Sequence, residues 1–228
     1  MRKYDIILMD ADDTVFDLGK AEENALHRLF MMYNIPWTED NVHLYQKIND
    51  AMWLEFEKGG ITKSFLLDNR FARFFEAIGF TGDGVKANSD YLDGLAEGNI
   101  LLPGALEVCR KIKEMGAKLY LATNGVTRVQ KNRLATSELA DLCDGIFVSE
   151  EAGSQKPQKE YFDFVFNRLG NPAKEKVLMV GDSLSSDIKG AVAYGIPCCW
   201  LNRKGQTTDL PVTYTVTNVP DILSVIEE

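Results

Sequence analysis

Four short stretches hold the residues that could do chemistry. They are Asp10-Ala11-Asp12-Asp13-Thr14, Thr123-Asn124-Gly125, Lys156-Pro157, and Gly181-Asp182-Ser183 with Asp187 shortly beyond. Asp10, Asp12 and Asp182 brought together would repel unless a cation sat among them. A small set of oxygen ligands suits Mg²⁺, which keeps waters and a phosphate oxygen in its shell. Lys156 and Thr123 could then hold the remaining oxygens of a phosphate. A carboxylate placed at phosphorus can act as a nucleophile and form an aspartyl phosphate. A second carboxylate two residues on lies on the same side of an extended chain, ~6–7 Å along it. That is where an acid for the leaving oxygen is needed. Phosphoryl transfer requires mainly positioning and charge stabilisation, which such a set supplies.

Each stretch also has an ordinary reading. Asp12-Asp13-Thr14 could be a turn and helix cap, since Asp and Thr favour such positions. Thr123-Asn124-Gly125 could be a plain strand-to-helix turn. Lys156 could be a loop lysine before a proline suited to a first helical turn. Asp182 and Asp187 could each cap a helix or face solvent. What favours chemistry is that the four occur in order, each after a predicted strand.

Those strands come from the hydrophobic pattern. Ile6-Ile7-Leu8-Met9 reads as a buried strand. Strands are also predicted near 118–122, 146–148, 177–180, 197–201 and 214–216, with helices near 104–115, 126–136, 158–169, 185–194 and 220–227. Alternation with short links predicts an α/β fold, a doubly wound, Rossmann-like parallel sheet. In such sheets ligands bind outside the carboxyl ends of the strands. Between about 20 and 98 the apolar residues instead recur at helical spacing, as in Ala21, Ala25, Leu29 and Tyr33. Gly59-Gly60 and Gly79 suit helix ends. This block predicts an inserted, all-helical bundle of about four helices. The expected division is an α/β core of 1–18 and 100–228 and a helical insertion of 19–99.

The chain has 228 residues, with 25 Lys and Arg against 34 Asp and Glu, a formal charge of −9. Apolar residues are 45% and charged residues 26%, which excludes disordered and fibrous classes. The acidic balance argues against a nucleic-acid polymer as partner. Cys109, Cys143, Cys198 and Cys199 lack CxxC spacing, and with only His27 and His43 a structural zinc site is not expected. Free thiols in a reducing compartment fit. The first apolar run is too short for a signal peptide, and none approaches ~18 residues, so a cytoplasmic protein without a membrane partner is expected.

At the four stretches the sequence closely resembles phosphatases of the haloacid dehalogenase-like hydrolase superfamily. Asp10-x-Asp12-x-Thr14 matches the first family motif, Thr123 the second, Lys156 the third and Gly181-Asp182-x-x-x-x-Asp187 the fourth. The resemblance implies that Asp10 is the nucleophile and a Mg²⁺ ligand. Asp12 would be the general acid and base, with its backbone carbonyl on the metal. Asp182 would bind the metal directly, and Asp187 through water or by orienting Lys156. Thr123, Asn124 through its N–H, and Lys156 would hold the phosphoryl group. The helical insertion looks like the family's substrate-selecting cap, with hinges near Asp17-Leu18-Gly19 and Gly98 to Pro103. Ala11 is smaller than the bulky apolar residue expected there, which should loosen local packing. A finer resemblance is to pyrimidine 5′-nucleotidases. It rests on Asp10 to Asp17, on Thr123-Asn124-Gly125 with Val129-Gln130 and Arg133-Leu134, and on Phe147 to Glu151 and Gln155 to Phe162.

The substrate expected is therefore a small phosphorylated metabolite, a nucleoside monophosphate first, handled by a monomer or homodimer. A broad sugar-phosphate or phosphoglycolate-type phosphatase is the main alternative. A metal-independent haloacid dehalogenase, a phosphomutase and a non-catalytic receiver domain rank behind it. In the cap, which holds 12 of the 23 aromatic residues, Trp53, Phe56 or Phe65 could stack on a base but suit bundle packing better. Arg70 and Arg73 could reach a substrate, and Arg128, Lys131 and Arg133 form a local basic cluster. Solvated helix faces are the expectation for both groups. Cys198 and Cys199 are expected to pack in a buried strand, and neither histidine is needed as a base.

Overall fold

The sheet begins with β1 (Ile6–Met9), four consecutive apolar residues that are all buried. The chain then makes four helices: α1 (Leu18–Tyr33), α2 (Glu39–Glu57), α3 (Lys63–Ala77) and α4 (Gly84–Ala96). Next come α5 (Ala105–Glu114), β2 (Lys118–Thr123), α6 (Thr127–Ala135), β3 (Gly145–Val148), the one-turn α7 (Ser149–Ala152) and α8 (Lys159–Arg168). The chain closes with β4 (Val177–Gly181), α9 (Lys189–Tyr194), β5 (Cys198–Leu201), β6 (Tyr214–Val216) and α10 (Ile222–Ile226). This computed structural model describes residues 3–227. Among them, no helix is long and apolar enough to cross a membrane.

All six strands are parallel, in the order β3-β2-β1-β4-β5-β6. Strands buried on both faces read as continuous apolar runs, because neither face meets water. Successive side chains still alternate between faces. Ile7 and Met9 join Val108, Ile112, Ile222 and Val225 of α5 and α10 in one core. Ile6 and Leu8 join Tyr161, Phe162 and Val165 of α8 and Ile188 and Ala191 beside it in the other. Cys199 and Cys198 divide between the same two cores as free, buried thiols. β1 pairs with β2 on one side and β4 on the other, Met9 lying opposite Leu121 and Val180. The residues after these three strands therefore start from one level at the carboxyl edge.

The chain divides into two units, residues 1–18 with 99–228, and Gly19–Gly98. The second is the four-helix block. Thr38, Thr62 and Asp83 cap α2, α3 and α4 by accepting hydrogen bonds from backbone N–H groups of the first turn. Gly59 and Gly79 follow α2 and α3 with φ of 78° and 65°, a conformation that costs any side-chain-bearing residue energy. Aromatic residues fill its interior: Tyr45 stacks on Phe71 and Phe30 on Phe74. Phe56 is buried beside Trp53, whereas Phe65 is exposed.

Arg70 overturns an expectation. It neither reaches outward nor sits on a solvated face, being 2% exposed inside this block. Its Nε donates to Asn88 Oδ1 at 2.7 Å and its Nη1 to Asn49 Oδ1 at 3.0 Å, and the guanidinium lies 4.8 Å from the Tyr91 ring centroid. A buried guanidinium is tolerable only with such partners.

Candidate active site

Asp10 follows β1 directly, and its N–H donates to Val180 O at 2.8 Å. The strand register puts it beside Ala122 and Gly181. Lys156 reaches the same point from the loop after α7. Its ammonium donates to Asp10 Oδ1, Asp187 Oδ1 and Ala122 O, each at 2.6 Å, so all three of its donors are used. Lys156 is 1% exposed. Burial alone would lower its pKa, but Asp10 and Asp187 outweigh burial and hold the ammonium charged. The Asn124 side chain fixes the lysine loop: Nδ2 donates to Lys156 O and Oδ1 accepts from Lys156 N, both at 2.9 Å. The Asn124 side chain is thus committed to the loop. Thr123 Oγ1 accepts from Gly125 N at 2.9 Å, which leaves its own proton for another acceptor.

After β4 the chain departs from the expected single helix. Leu184–Ile188 is a π-helical turn that precedes α9. Ser183 O accepts from the N–H groups of Asp187 and Ile188 at 3.1 Å each, and Ser183 Oγ accepts from Ser186 N. Such turns are uncommon and concentrate at functional sites. Asp187 Oδ2 accepts from Ser183 N at 3.2 Å. A Cβ on residue 181 would lie 2.2 Å from this oxygen, so Gly181 is what lets Asp187 pack against β4.

Oxygens of Asp10, Asp182 and Asp187 lie within 4.8 Å of one another. Asp182 is pushed up to about 7, by burial first and then by Asp187 and Asp13. Asp10 is raised well above the ordinary carboxylate range. Burial is the largest cause, and Asp187, Asp182 and Asp12 add to it against Lys156. With all three carboxyls ionised the cluster would carry −3 against +1 on Lys156, a formal −2 that a cation would have to offset. An all-oxygen donor set with that deficit fits a divalent cation, and Asp10, Asp182 and Asp187 are the residues that could hold one.

Asp12 is partnered separately. Its Oδ2 accepts from Gln130 Nε2 at 2.6 Å, and its Oδ1 accepts from Arg133 Nη1. Arg133 corrects the expectation of a solvated face, since it is 0% exposed and stacked 4.5 Å from the Phe16 ring centroid. Lys131 does lie on the exposed face, paired with Glu151. Thr14 is buried, and its hydroxyl has no hydrogen-bond partner among the described residues. Neither Gln130 nor Arg133 stood out in the sequence as a site residue. Their spacing of three after the Thr123 stretch, which puts both on one face of α6, is the signal that could have found them.

A parallel α/β sheet with clustered carboxylates and a buried lysine at its carboxyl edge defines an enzyme of the doubly wound class. The profile of haloacid dehalogenase-like hydrolases matches residues 4–195, and the chain belongs to that family. It is 36% identical over 228 residues to the HAD-hydrolase YfnB of Bacillus subtilis, covering 99% of this chain and 97% of that one. The magnesium-bound crystal structure of YfnB superimposes with a TM-score of 0.93 over 99% of this chain and 100% of that one. The pyrimidine 5′-nucleotidase YjjG of Escherichia coli is 34% identical over 222 residues, 96% of each chain. The pyrimidine 5′-nucleotidase PynA of Streptococcus pneumoniae is 33% identical over 227 residues, 99% of this chain and 96% of that one.

Proposed function

We propose that this hydrolase is a Mg²⁺-dependent phosphomonoesterase that works through an aspartyl phosphate on Asp10 and acts on nucleoside 5′-monophosphates, pyrimidine nucleotides foremost. The observation that carries the reaction is the buried ammonium of Lys156 joining Asp10 to Asp187 in a cluster that holds more acidic groups than one ammonium can balance. The substrate class rests on two nucleotidases related along nearly the whole chain.

When bound, the cation would screen the negative charge of an incoming phosphate and of the carboxylates facing it. Asp10, with one oxygen anchored by Lys156, attacks phosphorus. The bond from phosphorus to the ester oxygen breaks, and Asp12 gives that oxygen its proton. Water then attacks the phosphorus of the acyl phosphate and passes a proton to Asp12. Phosphate leaves and the Asp10 carboxylate is restored. Thr123 Oγ–H and the Asn124 N–H are assigned to the phosphoryl oxygens. The backbone carbonyl of Asp12 is assigned to the cation. The helical unit, with its own aromatic interior, is assigned the choice of leaving group.

Phosphate release is to be measured over nucleotides and sugar phosphates, with Mg²⁺ and with excess EDTA. The expected result is Mg²⁺-dependent release, fastest with pyrimidine monophosphates and abolished in Asp10→Asn. Full activity in Asp10→Asn would end the reaction proposal. A sugar phosphate turned over fastest would end the substrate proposal. Turnover of a haloacid in EDTA would favour dehalogenation instead.

A further inference from the structure

Lys156 holds Asp10 and Asp187, whereas Asp12 is held from another element. Both of its oxygens are instead taken by α6, Oδ2 by Gln130 and Oδ1 by Arg133. Those residues are 118 and 121 positions away in the chain, so the contact is a product of tertiary packing. Both are buried, at 2% and 0% exposure. Burying a guanidinium costs several kcal/mol unless it is well partnered. Arg133 meets that requirement with Asp12 on one side and the Phe16 ring on the other. Phe16 is tied to the same turn, because residues 12 and 16 form a bridge and Asp13 N donates to Phe16 O at 2.9 Å. Gln130 is held as firmly. A Cβ on residue 125 would lie 2.2 Å from its Nε2, so the missing side chain of Gly125 makes room for the amide.

An aspartate in a turn can otherwise sample several rotamers. Proton transfer requires that its carboxyl lie within hydrogen-bond reach of the ester oxygen. We infer that Gln130 and Arg133 are positioning residues that lock the Asp12 carboxyl at the leaving-group oxygen. This deepens the phosphatase reading and rests on it.

The test compares two esters in saturating Mg²⁺. Uridine 5′-monophosphate releases an alkoxide that needs a proton, whereas p-nitrophenyl phosphate releases a stable phenolate that does not. The quantity to read is kcat/KM, which reports the step in which the ester bond breaks. Gln130→Met keeps the length and burial of the side chain and removes both polar groups. It is expected to lower kcat/KM for the nucleotide roughly ten- to a hundredfold and for the aryl ester less than about threefold, a part of the ~10²–10⁴ that positioned proton transfer contributes. Arg133→Met is expected to act in the same direction, with partial recovery in Arg133→Lys. If the arginine variants fail to fold, Gln130→Met carries the test alone. Equal losses for the two esters in a folded variant, or no loss for either, would overturn the positioning role while leaving the phosphatase reading intact. A wild-type protein inert toward both esters would overturn that reading and the positioning role with it.

Discussion

Lys156→Met tests the centre of the site independently of any substrate. Methionine nearly matches lysine in length and is apolar, so packing is largely kept. What disappears is an ammonium with three hydrogen bonds of 2.6 Å, two of them to carboxylates. Breaking a buried ion pair by removing one partner costs about 3–5 kcal/mol, because a charge is left behind. A chain of this size is stable by about 5–15 kcal/mol and loses about 2–4 °C of Tm per kcal/mol. The variant should therefore melt about 6–20 °C below wild type at pH 7 in EDTA, followed by circular dichroism. The gap also has a predictable pH dependence. In the variant, buried carboxyls without a cation favour their neutral form, so folding takes up protons and the variant gains stability as the pH falls. Asp10 and Asp182 are raised in wild type as well, but there Lys156 opposes the rise, so the variant takes up more protons on folding than wild type does. The gap should narrow on acidification from pH 7 to 5. A Tm within about 2 °C of wild type, or a gap that ignores pH, would refute the assignment of Lys156 as the buried counter-charge of this site.

Two further outcomes are expected. Mg²⁺ at a hundredfold excess over its dissociation constant should stabilise the protein by about 2.7 kcal/mol, and Asp182→Asn should remove most of that shift in a thermal melt; an undiminished shift would place the cation elsewhere. Asp144 joins the starts of β2 and β3, accepting from Lys113 at 2.7 Å and from Lys118 and the Leu119 N–H at 2.9 Å each. Burial would raise its pKa, but these three donors outweigh it and hold the carboxyl at about 2. Its contribution is then present above about pH 4 and is lost as the pH falls toward 2, the sign for a depressed acid. Asp144→Ala should lose about 1–3 kcal/mol in urea melts at pH 7 and converge on wild type near pH 2. A deficit that persists at pH 2 would contradict the ion-pair account.

Much of the fold was legible because its signals are local. β1 and β4 are continuous apolar runs, and only strands buried on both faces need that composition. The insertion showed itself as a change from continuous apolar runs to apolar residues at a helical spacing of about 3.6. The expected helix near 185–194 was right in place and incomplete in kind. A π turn differs from an α turn by one hydrogen-bond step, and here the Asp187 carboxylate packed against Gly181 accompanies it. Periodicity alone does not carry that information.

The sequence by itself determined which polar residues stand at the ends of parallel strands, because apolar runs set the strands and strand ends set the level of Asp10, Thr123 and Asp182. Only the tertiary structure decided how the charges pair. Lys156 turned to Asp10 and Asp187, Arg133 turned inward to Asp12, and Arg70 was drawn into the helical unit between Asn49 and Asn88. The physical reason is that a charged residue reads as solvent-facing wherever its partner is distant in the chain. Packing that brings the partner within hydrogen-bond reach, and excludes water from both, makes the inside the lower-energy place.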